Sequence, residues 1–388
     1  MNRKPVVDVA IIGAGPGGLA AAHALLRLGL SVKVFERARE MRLIGAALGL
    51  FPNAYKALEA IDPELCLQVL NVSVEPTEQI LQNSNGDILF QGLPPFSGLK
   101  AKYGRPFQWI GWFRLQTVLQ DALPADIISV DHYCTSFTQN SESVSVHFKG
   151  QDSVEAGLLV GADGINSVVR QHLLNDGSPR YMDTMSWRSV VEDIDGVCSP
   201  GEFRLISGEG KNFAIIDVGG GFTCWTATGL SKSDLLSISP TVAKSRVLTE
   251  FGGWPEPVEE IVQATDASRI VERGICDRLP VKHWSQGRVT LLGDAAHPMR
   301  PTLGQGTGMA FEDAYELSAC RESGLNPEEA LKKYETERIP RSSIIQERAV
   351  AAGERAYKDD RAQQLAKAAK NWTPDEFDDW LYNRHYRH

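Results

Sequence analysis

The chain has 388 residues, with 40 Lys plus Arg against 49 Asp plus Glu and a formal net charge of −9. Its 43% hydrophobic content supports a large buried core, and the length predicts two domains or one core with a long insertion. The acidic balance excludes the concentrated basic face that a nucleic-acid partner requires. No run of about 20 apolar residues exists, so no membrane span is expected. Cys66, Cys134, Cys198, Cys224, Cys276 and Cys320 form neither a C-x-x-C pair nor a zinc spacing. They read as reduced, mostly buried thiols of a cytoplasmic protein without a bound metal.

Val6 to Ile12 is an apolar run of strand length that ends at Gly13-Ala14-Gly15-Pro16-Gly17-Gly18. Leu19 to Leu28 then reads as a helix closed by Gly29, and Ser31 to Phe35 as a second strand ending in Glu36. Together they predict a βαβ unit. Asn85-Gly86 marks a hairpin between Gln79–Gln82 and Asp87–Phe90. Ser143–Phe148 with Ser153–Val160, and Phe213–Val218 with Phe222–Thr228, predict two more. Arg288 to Leu292 is again an apolar strand and leads into Gly293-Asp294, where the chain is expected to return to its first domain. Asn326-Pro327-Glu328-Glu329 predicts a capped helix to about Arg338, with another from Pro340. The tail to His388 reads as docking helices.

Three segments carry chemistry. In Gly13-x-Gly15-x-x-Gly18, the first glycine allows the tight turn and the second lets a pyrophosphate approach the backbone. The third lets helix and strand pack closely, with phosphates at the helix N-terminus next to Pro16 and Gly17. Glu36, 18 residues past Gly18, is placed to accept from ribose hydroxyls, whereas Arg37 reads as a solvated charge or a phosphate contact. The second segment is Gly161-Ala162-Asp163-Gly164, in which Asp163 projects from a strand end or simply makes a turn. The third is Gly293-Asp294-Ala295-Ala296-His297-Pro298, followed by Pro301 and Gly304-Gln305-Gly306-Thr307-Gly308. Asp294 suits a sugar-alcohol chain. The glycines open a helix whose free amides favour negative charge, which fits a reduced flavin better than a nicotinamide.

This ordered trio resembles the single-component FAD-dependent aromatic hydroxylases, with relatives similar to salicylate, 3-hydroxybenzoate and urate hydroxylases and zeaxanthin epoxidases. The resemblance spans about Val6 to Arg338. It implies FAD bound through the first motif, Asp163 and Asp294, with Arg114 reaching the cofactor and Gly45-Ala46 and Pro52-Asn53-Ala54 running beside it. Thr307 stands where the family often has Gly or Ala. The fold implied is α/β, a glutathione-reductase-like FAD-binding Rossmann domain (1–71, 101–180 and 267–323). An inserted antiparallel-sheet substrate domain (72–100 and 181–266) and C-terminal helices (324–388) complete it.

The activity implied is hydroxylation or epoxidation of an aromatic or polyene small molecule by a monomer or homodimer. NAD(P)H would be a transient co-substrate, and O₂ would react through a flavin C4a-hydroperoxide. No second dinucleotide fingerprint and no redox cysteine pair are present, and no catalytic nucleophile is required. His297 reads as a general base or, more simply, a structural hydrogen-bonding residue. Arg188 reads as a pocket cation or a member of an inter-strand ion pair. Phe213 and Ile215 share one strand face, as core or substrate wall, with Trp225 close by. The mostly apolar run of these strands suggests a large, greasy substrate. Two alternatives remain: a same-fold flavin reductase of C=C bonds, and a non-catalytic flavin-binding protein.

Overall fold

The computed structural model describes residues 7–40, 46–356 and 372–386. Strand β1 (Val7–Ile12) is buried except at Asp8, and helix α1 (Pro16–Leu26) follows it with Pro16 in its first turn. Proline there gives up only an N–H that has no partner inside a helix. Strand β2 (Val32–Phe35) pairs parallel to β1, with Ile12 opposite Phe35. Further along come α2 (Pro52–Ile61), α3 (Trp112–Asp121), β3 (Gln151–Gly161) and α4 (Val168–Leu174). Strand β3 joins the other side of β1, with Gly161 opposite Ile12.

The expected hairpins form. Asn85-Gly86 connects Glu78–Asn83 to Ile88–Gly92 at the edge of a seven-stranded sheet. That sheet also contains β4 (Arg180–Glu192), β5 (Lys211–Asp217), β6 (Phe222–Leu230) and β7 (Val271–Asp277). Strand β7 lies beyond position 267, where the chain was expected to have left this sheet. Its pairing with β4, Arg188 opposite Val271, holds it there. Side chains alternate across the sheet. Phe213, Ile215, Trp225 and Trp187 point to one face and pack with Val247, Phe251 and Ile261 from the helices Pro240–Glu250 and Val258–Ala264.

The chain then returns as β8 (Val289–Leu291), parallel to β3 with Leu291 opposite Gly161. Phe35, Ile12, Gly161 and Leu291 therefore form one row across four parallel strands. Glu36, the glycine turn, Asp163 and Asp294 all emerge just past that row. Sequence segments more than 100 residues apart meet there because the strand ends are in register.

Helix α5 (Gly306–Glu322) follows, then α6 (Pro327–Ala356) and α7 (Pro374–Tyr382). The expected break at Pro340 does not occur, and α6 runs through it. Pro340 is exposed, and the residues flanking it, Arg338 and Arg341, are tied to Glu312 and Asp313 on α5. These contacts hold the helix across a residue that would otherwise end it. The expectation of docking helices in the tail holds for α7, while 357–371 lie outside the described residues. Among the described residues no helix is long and apolar enough to cross a membrane.

Candidate cofactor and substrate site

A cavity of about 1250 Å³ lies at the carboxyl edge of the parallel strands, with one face of the antiparallel sheet forming another wall. At one end stands the glycine turn. Gly13 has φ +105°, and a Cβ there would collide with the Ala162 carbonyl. A Cβ on Gly18 would collide with the Gly13 carbonyl, so Gly18 serves helix–strand packing and does not itself line the cavity. Gly15 has nothing within 4 Å of its Cβ position and faces the open space. No side chain caps α1, so its positive end is directed at the cavity.

The Glu36 carboxylate accepts the amides of Ala14 and Ala38, each at 2.9 Å, which clamps the turn. Each oxygen retains a lone pair for a hydroxyl donor. Arg37 is exposed at the rim, and Pro16, Gly17 and Ala46 also line the space. Gly45 lies outside the described residues.

Asp163 is bound to its own segment. It accepts from Ser167 Oγ at 2.5 Å and from the Val168 amide at 2.7 Å, fastening the start of α4. Burial raises its pKa, offset in part by those bonds. Asp294 differs. Protein surrounds it, yet its carboxylate is open to the cavity and takes no hydrogen bond from the described residues. Burial pushes its pKa up, with the His297 charge acting against that. A carboxylate exposed on the cavity wall and free of protein donors is available to the ribityl or ribose hydroxyls of a bound nucleotide.

Beyond Asp294, Pro301, Gly304, Gly306 and Thr307 line the cavity at the uncapped start of α5. Gly308 does not line it: a Cβ there would come 3.0 Å from Asn53 Nδ2, so this glycine packs α5 against α2. Arg114 is also displaced from its expected role. Its Nη1 donates to the Val218 carbonyl at 3.0 Å, and its guanidinium lies under Gly219 and Gly220. The cavity lining lacks Arg114, and in this structure the arginine holds the β5–β6 turn. Trp112 and Gln116, one turn of helix apart on α3, line the cavity in its place.

The substrate-side expectations divide by strand alternation. Phe213, Ile215 and Trp225 are fully buried on the far face of the sheet and are core, not substrate wall. The cavity face carries Ser186 and Arg188 opposite Thr228 and Thr226. The part of that face lining the cavity is polar, whereas its continuation through Val190, Ala214, Ile216 and Cys224 is an apolar cluster. Arg188 Nε is buried without a partner, and no carboxylate acts on this guanidinium. Burial lowers its pKa, Cys224 and Arg273 act in opposite directions, and an arginine under such conditions stays charged.

Beneath the site lies a cluster that the sequence did not disclose. Asp313 accepts the Gly293 amide at 2.9 Å and lies 2.6 Å from His297 Nε2 and from Arg338 Nε. Glu312 takes Arg338, Arg341 and the Asn53 amide. Burial opposes both charges, but the arginines around Glu312, and His297 with Arg338 around Asp313, bring the two carboxyls below their ordinary values. Arg170 donates to the carbonyls of Ala295 and Ala296 from the opposite side. His297 is 1% exposed and outside the cavity lining, which makes it a structural residue. A Glu-Asp pair directly after the apolar Met309-Ala310-Phe311, with arginines three apart on the next helix, was the available signal.

Helix ends, open glycine backbone and an unpartnered carboxylate in a long cavity define an α/β protein built to hold a nucleotide cofactor with an adjoining substrate. The chain belongs to the FAD binding domain family, which matches residues 6–203 and 255–349. It is 33% identical over 341 residues to aurachin C monooxygenase/isomerase of Stigmatella aurantiaca, covering 88% of this chain and 87% of that protein. It is 31% identical to 3-amino-4-hydroxybenzoate 2-monooxygenase of Streptomyces cremeus, covering 88% and 86%. HpxO of Klebsiella pneumoniae, solved with FAD and uric acid, superimposes with a TM-score of 0.82 at 25% identity, covering 97% and 93%. The protein is thus an enzyme of the FAD-dependent monooxygenase group that includes the aromatic hydroxylases, and its cofactor is FAD.

Proposed function

We propose that this enzyme uses NAD(P)H and O₂ to place one oxygen atom on an electron-rich aromatic or polyene carbon. The substrate would lie between the flavin and the polar face of β4 and β6. The observation that carries this reading is Arg188, a half-buried cation on the cavity face with a buried, unpartnered Nε and no opposing carboxylate. It is fitted to a phenolate, carboxylate or carbonyl oxygen. The overall balance is substrate–H + O₂ + NAD(P)H + H⁺ giving substrate–OH, water and NAD(P)⁺.

When bound, the flavin would accept two electrons from the nicotinamide and activate oxygen for transfer. The protein's own residues would do the rest. Gly13, Gly15, Pro16, Gly17 and the start of α1 would hold the pyrophosphate, with Glu36 on the adenosine ribose. Asp294 would take hydroxyls of the ribityl–ribose region. The uncapped amides of Gly306 and Thr307 would stabilise negative charge that builds on the ring during reduction. Arg188 would orient the substrate and favour its ionised, electron-rich form, with Ser186, Thr226 and Thr228 completing the polar floor. The surrounding walls would exclude water and limit peroxide loss.

The test is anaerobic mixing of FAD-loaded protein with NADH and with NADPH, alone and with phenols, quinolones, purines and polyenes. Flavin bleaching accelerated by a ligand supports the reading. Bleaching at the same slow rate with every ligand argues against it.

A further inference from the structure

We infer that the cavity has a second, apolar lobe that takes a hydrocarbon extension of the substrate, so that the substrate is amphiphilic. This rests on the reading above, in which Arg188 holds the polar head. The lobe is lined by Phe51, Phe96, Phe107, Trp372, Phe377 and Tyr382. These residues come from four separate stretches of chain. Phe51 precedes α2, Phe96 and Phe107 flank the short helix Leu99–Tyr103, and the other three come from α7 and the residue two before it.

Their rings fall into two sets of close contacts, one around Phe51 and one of Trp372 with Phe377. Phe51 lies 5.7 Å from Phe96, 4.6 Å from Phe107 and, stacked, 5.8 Å from Tyr382. Phe96 and Phe107 are 4.4 Å apart, and Trp372 is 6.2 Å from Phe377. Phe51 and Trp372 also belong to the same apolar cluster as Phe377 and Tyr382. The surface adjoins the flavin turn, since a Cβ on Gly304 would come 3.0 Å from the Phe51 ring.

Two features separate this wall from an ordinary core. Phe51, Phe96 and Trp372 remain partly exposed inside the fold, and the space they face is the cavity, whereas the core aromatics Phe213 and Trp225 are fully buried. Apolar surface left open in this way gains by being covered. The cavity of about 1250 Å³ also runs without a break from the glycine turn and Asp294 to these rings, so the wall opens on the same space as the proposed cofactor and substrate sites. Charged groups also line this side: Arg348 is stacked over the Phe377 and Trp372 rings at 4.2 and 5.3 Å, and Arg300 and Asp378 line the cavity as well. The polar sheet at one end and the aromatic wall at the other match a ring with an oxygen at one side and a hydrocarbon chain at the other.

The test is binding of a 4-alkylphenol series, from methyl through butyl to octyl, to the FAD-loaded protein, read by perturbation of the flavin absorbance. Each added CH₂ is expected to tighten binding about threefold to fourfold until the lobe is full. Phe96→Ala and Trp372→Ala are each expected to flatten that dependence. Arg188→Gln is expected to weaken every member while keeping the dependence on chain length. A series that binds with no gain per carbon overturns the lobe and leaves the monooxygenase reading standing. Binding by no member overturns both the lobe and the head site at Arg188.

Discussion

The amide of Gly293 donates to the Asp313 carboxylate at 2.9 Å, so the turn that presents Asp294 is suspended from a buried charge cluster on α5. Asp313 is held in turn by Arg338, and the segment after the turn is held by Arg170. Asp294 therefore keeps its position without spending its own oxygens on the protein, which leaves them for the cofactor.

If Asp294 holds the cofactor as proposed, replacing it by Ala would remove charge-assisted hydrogen bonds, each contributing about 1.5–3 kcal/mol. FAD affinity should fall roughly tenfold to a hundredfold, measured as the dissociation constant on titrating apoprotein with FAD. Wild-type affinity in that variant would remove Asp294 from the cofactor site.

Arg338→Met leaves the Glu312 and Asp313 carboxylates without the arginine that they share in a fully buried setting. The expected loss is about 3–5 kcal/mol in denaturant unfolding. Burial acts against both carboxyls, but their partners hold them below the ordinary 4.5 and 3.8. Their contribution is therefore complete above those values and is lost as pH falls through the lower pKa values of the folded state. The deficit of the variant should shrink on acidification, because a protonated carboxyl no longer lacks a partner. A deficit that grows as pH falls would contradict the assignment.

Arg114→Ala should act on stability and hardly on the cofactor. Its guanidinium supports the Val218 carbonyl and the Gly219–Gly221 turn. A loss of about 1–2 kcal/mol is expected, with FAD affinity changed less than about threefold, which corresponds to under about 0.7 kcal/mol. A large fall in affinity with unchanged stability would restore the role that the family resemblance implied.

The parts legible in the sequence are those set by local chemistry. Glycine spacing, strand ends and the Asn85-Gly86 turn each carry their geometry within a few residues. What sequence reading missed depends on distant partners. Strand alternation showed that Phe213 and Ile215 share a face. Whether that face is core depends on the helices Pro240–Glu250 and Val258–Ala264, which pack on it later in the chain. Trp372 and Phe377 read as docking residues because nothing near them in sequence shows that they reach the flavin turn. Pro340 reads as a helix end because the arginine contacts that carry α6 past it are tertiary. Arg114 lies two residues from both Trp112 and Gln116 on α3, about half a turn round the helix, and that offset turns it from the cavity to the sheet.

Arg188→Gln keeps a polar but shorter side chain and removes its charge. Flavin content should be retained, while affinity for any ligand that accelerates flavin reduction should fall about tenfold to a hundredfold. Equal affinity in variant and wild type would place Arg188 outside substrate recognition.

The most direct test of the whole account is turnover of a stimulating ligand with NAD(P)H under isotopically heavy O₂, followed by mass spectrometry. The account predicts a product that carries one labelled oxygen atom, formed in step with nicotinamide oxidation. A product with a reduced C=C bond and no label, or nicotinamide oxidation that yields only peroxide with every ligand tried, would contradict it.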